Sequence, residues 1–255
     1  MNCKICNNKS ELIFKEKVLH KYDVSFFRCE NCEFIQTEEP YWINEAYTNS
    51  INISDTGYLY RNILFSKKIT LLICLFFNEK GKFLDFASGY GVFPRLMRDI
   101  GFDFYWDDKY TENIFSKGFE FDNKYSIEAI TVFECFEHFI DPIEELEKML
   151  KISNNIIFST ELIPELSSID KNWDYFGFNH GQHISFYSRK TLEYLSEKYG
   201  LNYYNLKGLH IFSKNKLSKI KLNLTKLTRF GLHNMFTKRL KSKMWDDHVN
   251  LNSIK

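Results

Sequence analysis

The sequence predicts an α/β protein built on an open parallel sheet, preceded by a small cysteine-bound module and followed by a basic helical tail. Three observations carry that prediction. Apolar runs of strand length alternate with stretches of helical spacing from about residue 59 to residue 213. A strand, a glycine turn and a helix follow one another between Lys82 and Arg98. Four of the six cysteines stand as two Cys-x-x-Cys pairs within the first 32 residues.

The whole chain sets bounds. Its 255 residues suffice for one sizeable core and a small appendage. A net charge of +1 argues against a general nucleic-acid binder, so no nucleic-acid partner is expected. The first residues lack an apolar signal core, and the longest apolar run, Ile69 to Phe77, is too short to cross a bilayer. A cytoplasmic location is therefore expected, where cysteines serve as thiols or metal ligands.

Residues 1–40 are read as a zinc ribbon. Cys3, Cys6, Cys29 and Cys32 close a tetrahedral thiolate site, and four protein ligands leave no open position, so the metal is structural. So short a segment has too little core to fold without such a staple. Cys74 and Cys135 lie in apolar runs and are assigned to packing. Residues 41–81 form a helical cap or linker, with its helix from Leu59 to Phe77.

Residues 82–213 hold the sheet domain. Phe83, Leu84 and Phe86 form the first strand, Gly89 and Gly91 break it, and Pro94 sits in the first turn of the next helix, where its missing N–H costs nothing. Such a turn points backbone N–H groups at a ligand, and Asp85 can anchor the turn or a cationic group. Gly101 to Tyr110 is a second strand whose carboxylates fall about 20 residues beyond the glycines; Asp108 is preferred over Asp107 as the ribose-binding acid. Phe119 and Glu120 close a short third strand. Ala129 to His138 is a buried strand with a polar tip, placing Glu134, Glu137 and His138 at the edge where open sheets bind ligands.

A helix over Ile143–Lys151 and a strand over Asn155–Thr160 follow. A loop then carries Trp173, Tyr175, Phe176, His180 and His183, an aromatic and imidazole density that suggests a lid or ligand role. His180 and His183 are not read as metal ligands, because no carboxylate stands nearby at ligand spacing. Ser188 caps a helix that Gly200 stops, and strands near 202–206 and 209–213 finish the sheet. Residues 214–255 form a basic amphipathic segment: a solvated face, or alternatively an attachment to anionic lipid at the inner membrane or to an enzyme assembly.

This order of elements resembles the class I S-adenosylmethionine-dependent methyltransferases. Asp85-Phe-Ala-Ser-Gly-Tyr-Gly91 is similar to that family's Asp-x-Gly-x-Gly-x-Gly motif, with Ala87 for the first glycine. The resemblance implies a Rossmann-like seven-stranded sheet. It also implies S-adenosylmethionine held by Asp85, Ala87, Ser88, Gly89, Gly91 and Asp108, with Glu134, Glu137 and His138 lining the methyl-donor pocket. The cysteine module together with Gly181-Gln-His-Ile-Ser185 resembles methyltransferases of nucleotide-linked sugars in surface-polysaccharide and antibiotic pathways. Gln182 stands where sugar C-methyltransferases of this type carry an acid, so O-methylation is preferred to C-methylation. His183 is the expected general base, with His180, Tyr175 and His138 as alternatives.

Two other readings are weighed. A dinucleotide-dependent oxidoreductase would need glycines at 87 and 92, where Ala87 and Val92 stand. A non-catalytic zinc-ribbon scaffold would leave the imidazole-rich loop without a purpose. The oligomeric state stays open.

Overall fold

The computed structural model describes residues 1–48, 55–164 and 171–253. The strands are β1 (Ser10–Val18), β2 (Tyr22–Cys29), β3 (Ile35–Thr37), β4 (Lys82–Phe86), β5 (Asp103–Asp107), β6 (Ile127–Val132), β7 (Asn155–Phe158), β8 (Ser185–Phe186), β9 (Asn202–Asn205) and β10 (His210–Ser213). The α-helices are α1 (Ile43–Ala46), α2 (Tyr58–Phe76), α3 (Val92–Ile100), α4 (Pro142–Ile152), α5 (Arg189–Lys198), α6 (Lys219–Leu224), α7 (His233–Thr237) and α8 (Met244–Asn252). One sheet has the order β1-β2-β3-β8 and the other β5-β4-β6-β7-β10-β9. The larger is mixed: β4 pairs in parallel with β5 and β6, while β9 and β10 are antiparallel.

It has six strands among the described residues, not seven. The third strand expected at Phe119–Glu120 is reduced to a single parallel bridge between Glu120 and Trp106. Two backbone bonds, Trp106 N–H to Phe119 O and Phe121 N–H to Trp106 O, hold that bridge at the edge of β5. Left-handed residues on either side, Gly118 at φ 87° and Asn123 at φ 62°, stop the pairing from extending.

Two compact units share the chain. Met1–Asn52, Phe133–Lys151 and Phe158–Lys214 form one, and Ile53–Val132, Ile152–Ile157 and Asn215–Lys255 the other.

In the first unit β1, β2 and β3 are an antiparallel meander, and β8 adds to β3 through Ile35–Phe186 and Gln36–Ser185. The aromatic residues of the long loop are core here, not a lid. Phe176 and Phe186 are fully buried with Val24, Phe26, Ile35 and Trp42, and Phe14 stacks on Phe26 at 4.8 Å. So small a sheet can bury one face only by borrowing apolar side chains from a distant segment. Ser188 caps α5, its hydroxyl accepting from Thr191 N–H while Thr191's hydroxyl accepts from Ser188 N–H, and Gly200 ends the helix in the left-handed region.

In the second unit Phe83 and Phe104 stack at 5.2 Å on neighbouring parallel strands, and Phe93 of α3 meets Phe104 edge-on at 5.6 Å. The expected amphipathic tail is broken into short pieces: α6, a 3-10 stretch over Thr225–Phe230, α7 and α8, with Gly231 left-handed between them. Its end is not a solvated basic face either. Asp247 of α8 is buried and receives Nε and Nη2 of Arg98 of α3 at 2.8 and 2.6 Å.

No helix among the described residues is long and apolar enough to cross a membrane.

Candidate functional site

In the second unit, the turn after β4 is a tightly held cradle. Ala87, Gly89 and Gly91 all have positive φ (54°, 54° and 82°), and Gly91 opens α3. A Cβ at Gly91 would come 2.8 Å from Asn113 Oδ1 and 3.1 Å from Ser116 N, so the close approach this glycine permits is made by the chain's own next loop. A Cβ at Gly89 would instead face the Tyr58 hydroxyl at 3.1 Å.

Asp108 ties the cradle to the end of β5. Its Oδ2 accepts the Gly89 N–H at 2.8 Å, and its Oδ1 accepts those of Tyr110 and Thr111, both at 2.8 Å. A carboxylate offers about four acceptor sites, so about one stays open on Oδ2. Ser88 N–H donates to Asp107 O at 3.0 Å, and Trp106 Nε1 to Gly89 O at 2.7 Å.

Asp85, 3 % exposed, accepts from Ser88 Oγ at 2.7 Å and Thr131 Oγ1 at 2.5 Å. Burial pushes its carboxyl up to about 7, against the pull of those two hydroxyls, with the Asp108 charge adding to the rise. Asp85, Ala87, Ser88, Gly89, Gly91 and Asp108 thus stand together, arranged around a strand-to-helix turn suited to an adenosyl ligand.

In the first unit the structure gathers the four candidate catalytic side chains. His183 lies 5.0 Å, 4.6 Å and 4.7 Å, ring centre to ring centre, from His138, His180 and Tyr175. The backbone arranges this. Ile184 N–H donates to Glu137 O at 2.9 Å, Ser185 Oγ to Phe139 O at 2.7 Å and Tyr187 OH to Phe136 O at 3.0 Å, fastening the 3-10 turn Phe136–His138 to the segment carrying His183. Gly177, with φ 61°, gives space to the His180 ring, which a Cβ there would strike.

The partners of the imidazoles fix their tautomers. His138 Nδ1 and His183 Nδ1 face the carbonyls of Gln182 and Tyr175 at 3.1 and 2.6 Å. A carbonyl only accepts, so both Nδ1 atoms carry the hydrogen and both Nε2 atoms keep a lone pair. His180 is the opposite case, its Nδ1 accepting from Gln182 N–H at 3.2 Å. Burial lowers all three, His138 to about 4 and His183 well below its ordinary value, so they are neutral near pH 7.

Glu137 and Glu134 also lie in this unit. Glu134 exchanges hydrogen bonds with Ser159, its N–H donating to Oγ at 2.8 Å and its Oε1 accepting the hydroxyl. Glu137 is 1 % exposed and neither carboxylate oxygen has a hydrogen-bond partner among the described residues. Burial, then the Glu134 charge, push it up to about 8. One of its oxygens and one ring nitrogen each of His138 and His183 lie within 4.8 Å of one another. Sequence spacing showed no carboxylate near His183; the fold supplies one from 46 positions upstream.

One further residue was not foreseen. Thr160 Oγ1 and Tyr175 OH are 3.2 Å apart, and Tyr175 OH also accepts Glu161 N–H at 3.1 Å. A lone Thr at a strand's end carries no sequence signal. The side chain of Gln182 donates to Ala46 O at 2.8 Å, and its backbone carbonyl faces the His138 ring.

The cysteines form two equivalent knuckles. Asn7 N–H donates to Cys3 O and Cys3 N–H to Asn8 O; at the same spacing Glu33 N–H donates to Cys29 O and Cys29 N–H to Phe34 O. Asn7 and Glu33, each following a second cysteine, are both left-handed. Sγ atoms are 3.5 Å apart for Cys3–Cys32 and 3.4 Å for Cys6–Cys29, and all four lie within 4.8 Å of one another. A tetrahedral zinc at ~2.3 Å needs sulfurs ~3.8 Å apart, so the set fits one ion.

Fold and cradle define an α/β protein with a ligand turn after its first parallel strand. The family model described as methyltransferase domain matches residues 60–206, and the chain belongs to that family: it is a methyltransferase. Among solved structures, the plantazolicin methyltransferase BpumL in complex with SAH is 16% identical with a TM-score of 0.50, covering 80% of this chain and 91% of that one. Magnesium protoporphyrin IX methyltransferase from Synechocystis PCC 6803 with bound SAH is 14% identical (TM-score 0.43, 68% of this chain, 95% of that one). CalO1, a methyltransferase in calicheamicin biosynthesis in its SAH-bound form, is 14% identical (TM-score 0.42, 68% and 60%). BpumL supports the class I α/β fold. No curated protein matches the sequence.

Proposed function

We propose that the protein transfers a methyl group from S-adenosylmethionine to a hydroxyl of a nucleotide-linked sugar, in the making of a bacterial surface polysaccharide. The observation that carries the proton-transfer part is the His183 ring, neutral, with Nδ1 tied to Tyr175 O and the lone pair left on Nε2. The cradle supports the donor: Asp108 has acceptor capacity left for a ribose hydroxyl, and the glycine turn opens a helix. The sugar class rests on the likeness of the cysteine module and the Gly181–Ser185 segment to sugar methyltransferases.

When bound, S-adenosylmethionine supplies an electrophilic methyl group. His183 Nε2 would take the proton of the acceptor hydroxyl that receives this methyl group. His138, of the same tautomer, backs His183, while the His180 ring and Tyr175 flank the acceptor. Gln182, its amide bonded to Ala46 O, stands where the C-methyltransferases carry an acid, which favours oxygen over carbon as the acceptor. Cys3, Cys6, Cys29 and Cys32 would hold a structural zinc.

The test is an assay of nucleotide-linked sugars with labelled donor, products read by mass spectrometry and glycosidic-linkage analysis. Label in a sugar O-methyl supports the proposal. Donor binding without transfer to any sugar overturns the substrate class, and full turnover in His183→Ala overturns His183 as base.

A further inference from the structure

We infer that the face of the second unit made by α2 and residues 215–241 docks on an anionic lipid surface. Residues 215–241 contain eight Lys and Arg and no Asp or Glu, and α2 contains three Lys and Arg and no acid, in a chain whose net charge is only +1. These segments touch: α2 packs against the 3-10 stretch Thr225–Phe230 and against α7.

The acids that adjoin these segments in the chain are already engaged. Asp55 pairs with Arg61 at 2.6 Å, Glu79 with Arg239, and Asp246 with Lys241 at 3.2 Å. Lys219, Lys221, Lys226, Arg229 and Lys238 are exposed and make no ion pair among the described residues.

Charge alone would suit any polyanion. The apolar side chains between the cations decide for lipid: Ile220 is 80% exposed, Met235 72%, Phe230 71% and Tyr60 67%. A phosphate backbone gains little from an outward Ile or Met. A bilayer interface takes up both, the apolar side chains entering the acyl boundary while lysines meet headgroups. Each cation near an anionic surface is worth roughly fivefold in affinity, and the attraction decays over a Debye length of about 8 Å in physiological salt.

The full chain is tested by co-sedimentation with phosphatidylcholine vesicles with and without phosphatidylglycerol. Binding only to the anionic vesicles is expected, weakened about tenfold or more by Ile220→Glu with Phe230→Glu, and likewise by Lys219→Glu with Lys221→Glu. These exposed residues lie outside the cradle and the histidine cluster, so the variants should keep wild-type affinity for S-adenosylmethionine, which shows that they are folded. Equal binding to both vesicle types, binding to neither, or duplex DNA capturing the protein with the Ile220/Phe230 variant unaffected would overturn the inference.

Discussion

His183 donates its Nδ1 hydrogen to the backbone carbonyl of Tyr175 at 2.6 Å, which leaves the ring's lone pair on Nε2. Removing the ring removes the proton acceptor, together with its hydrogen bond to Tyr175 O. His183→Ala is expected to lower turnover by about a hundredfold or more while S-adenosylmethionine binds as before, measured by steady-state kinetics and calorimetry. A variant with full turnover would exclude His183 from the role. Because burial lowers His183 and His138, the acid limb of the kcat profile should lie below pH 6.5.

Two buried acids should shape stability with the opposite sign from ordinary carboxylates. Asp85 and Glu137 are pushed up to about 7 and about 8 when folded, against 3.8 and 4.5 otherwise, so the folded protein binds protons that the unfolded chain releases. Their contribution is complete below the unfolded values and is lost as pH rises through the folded ones. Below pH 6.5 the buried histidines, which the unfolded chain protonates first, act in the opposite sense, so thermal denaturation should show the Tm falling between about pH 6.5 and about pH 8, with that fall reduced in Glu137→Gln. A Tm that rises over this range would show that both acids are ionised in the folded protein.

Gly177 supports the His180 ring at a left-handed φ of 61°, so Gly177→Ala should both strain the backbone and displace that ring. The expected result is a rise in KM for the acceptor larger than the change in affinity for the donor. Unchanged acceptor kinetics would place His180 outside the acceptor site.

Much of the sheet was legible because its signals are local. Phe83-Leu-Asp-Phe86 followed by Gly89 and Gly91 announces strand and turn, and Ser188 with Gly200 brackets α5 at both ends. What was not legible depends on contacts between distant residues. β8 is two residues long, below any periodicity, and only its pairing with β3 explains why the loop is so rich in buried aromatics. The three histidines could be flagged by chemistry, but the approach of Glu137 to His183 is made by a turn fastened 46 positions upstream, which spacing does not encode. Asp108 could be found by counting; that three backbone N–H groups occupy it could not.

The two cysteine knuckles share one hydrogen-bond pattern, so all four thiolates should act as a unit. Purified protein is expected to carry about one zinc per chain by elemental analysis, and Cys29→Ser or Cys32→Ser should lose it together with the ordered β1–β3 meander. Because Phe14 and Phe26 of that meander pack on Phe176, a few residues before His180, loss of the metal should also weaken acceptor turnover. Full metal content in both variants would refute the site.

Arg98 and Asp247 test whether the chain's end is part of the second unit's core or an appended tail. Both are 4% exposed, the guanidinium meets Asp247 through two bonds and Asp103 through a third at 2.6 Å, and its carbon lies 3.6 Å from the centre of the Phe119 ring. Removing Asp247 leaves part of a buried cation uncompensated, and such losses cost roughly 3–5 kcal/mol. Asp247→Ala should therefore lower unfolding stability by about that much in denaturant titration. Arg98→Met, which removes the charge and keeps apolar bulk, should cost less when combined with Asp247→Ala than the sum of the single changes, because neither charge is then left alone. Additive losses would mean that the two residues contribute independently and that α8 is held by its apolar contacts instead.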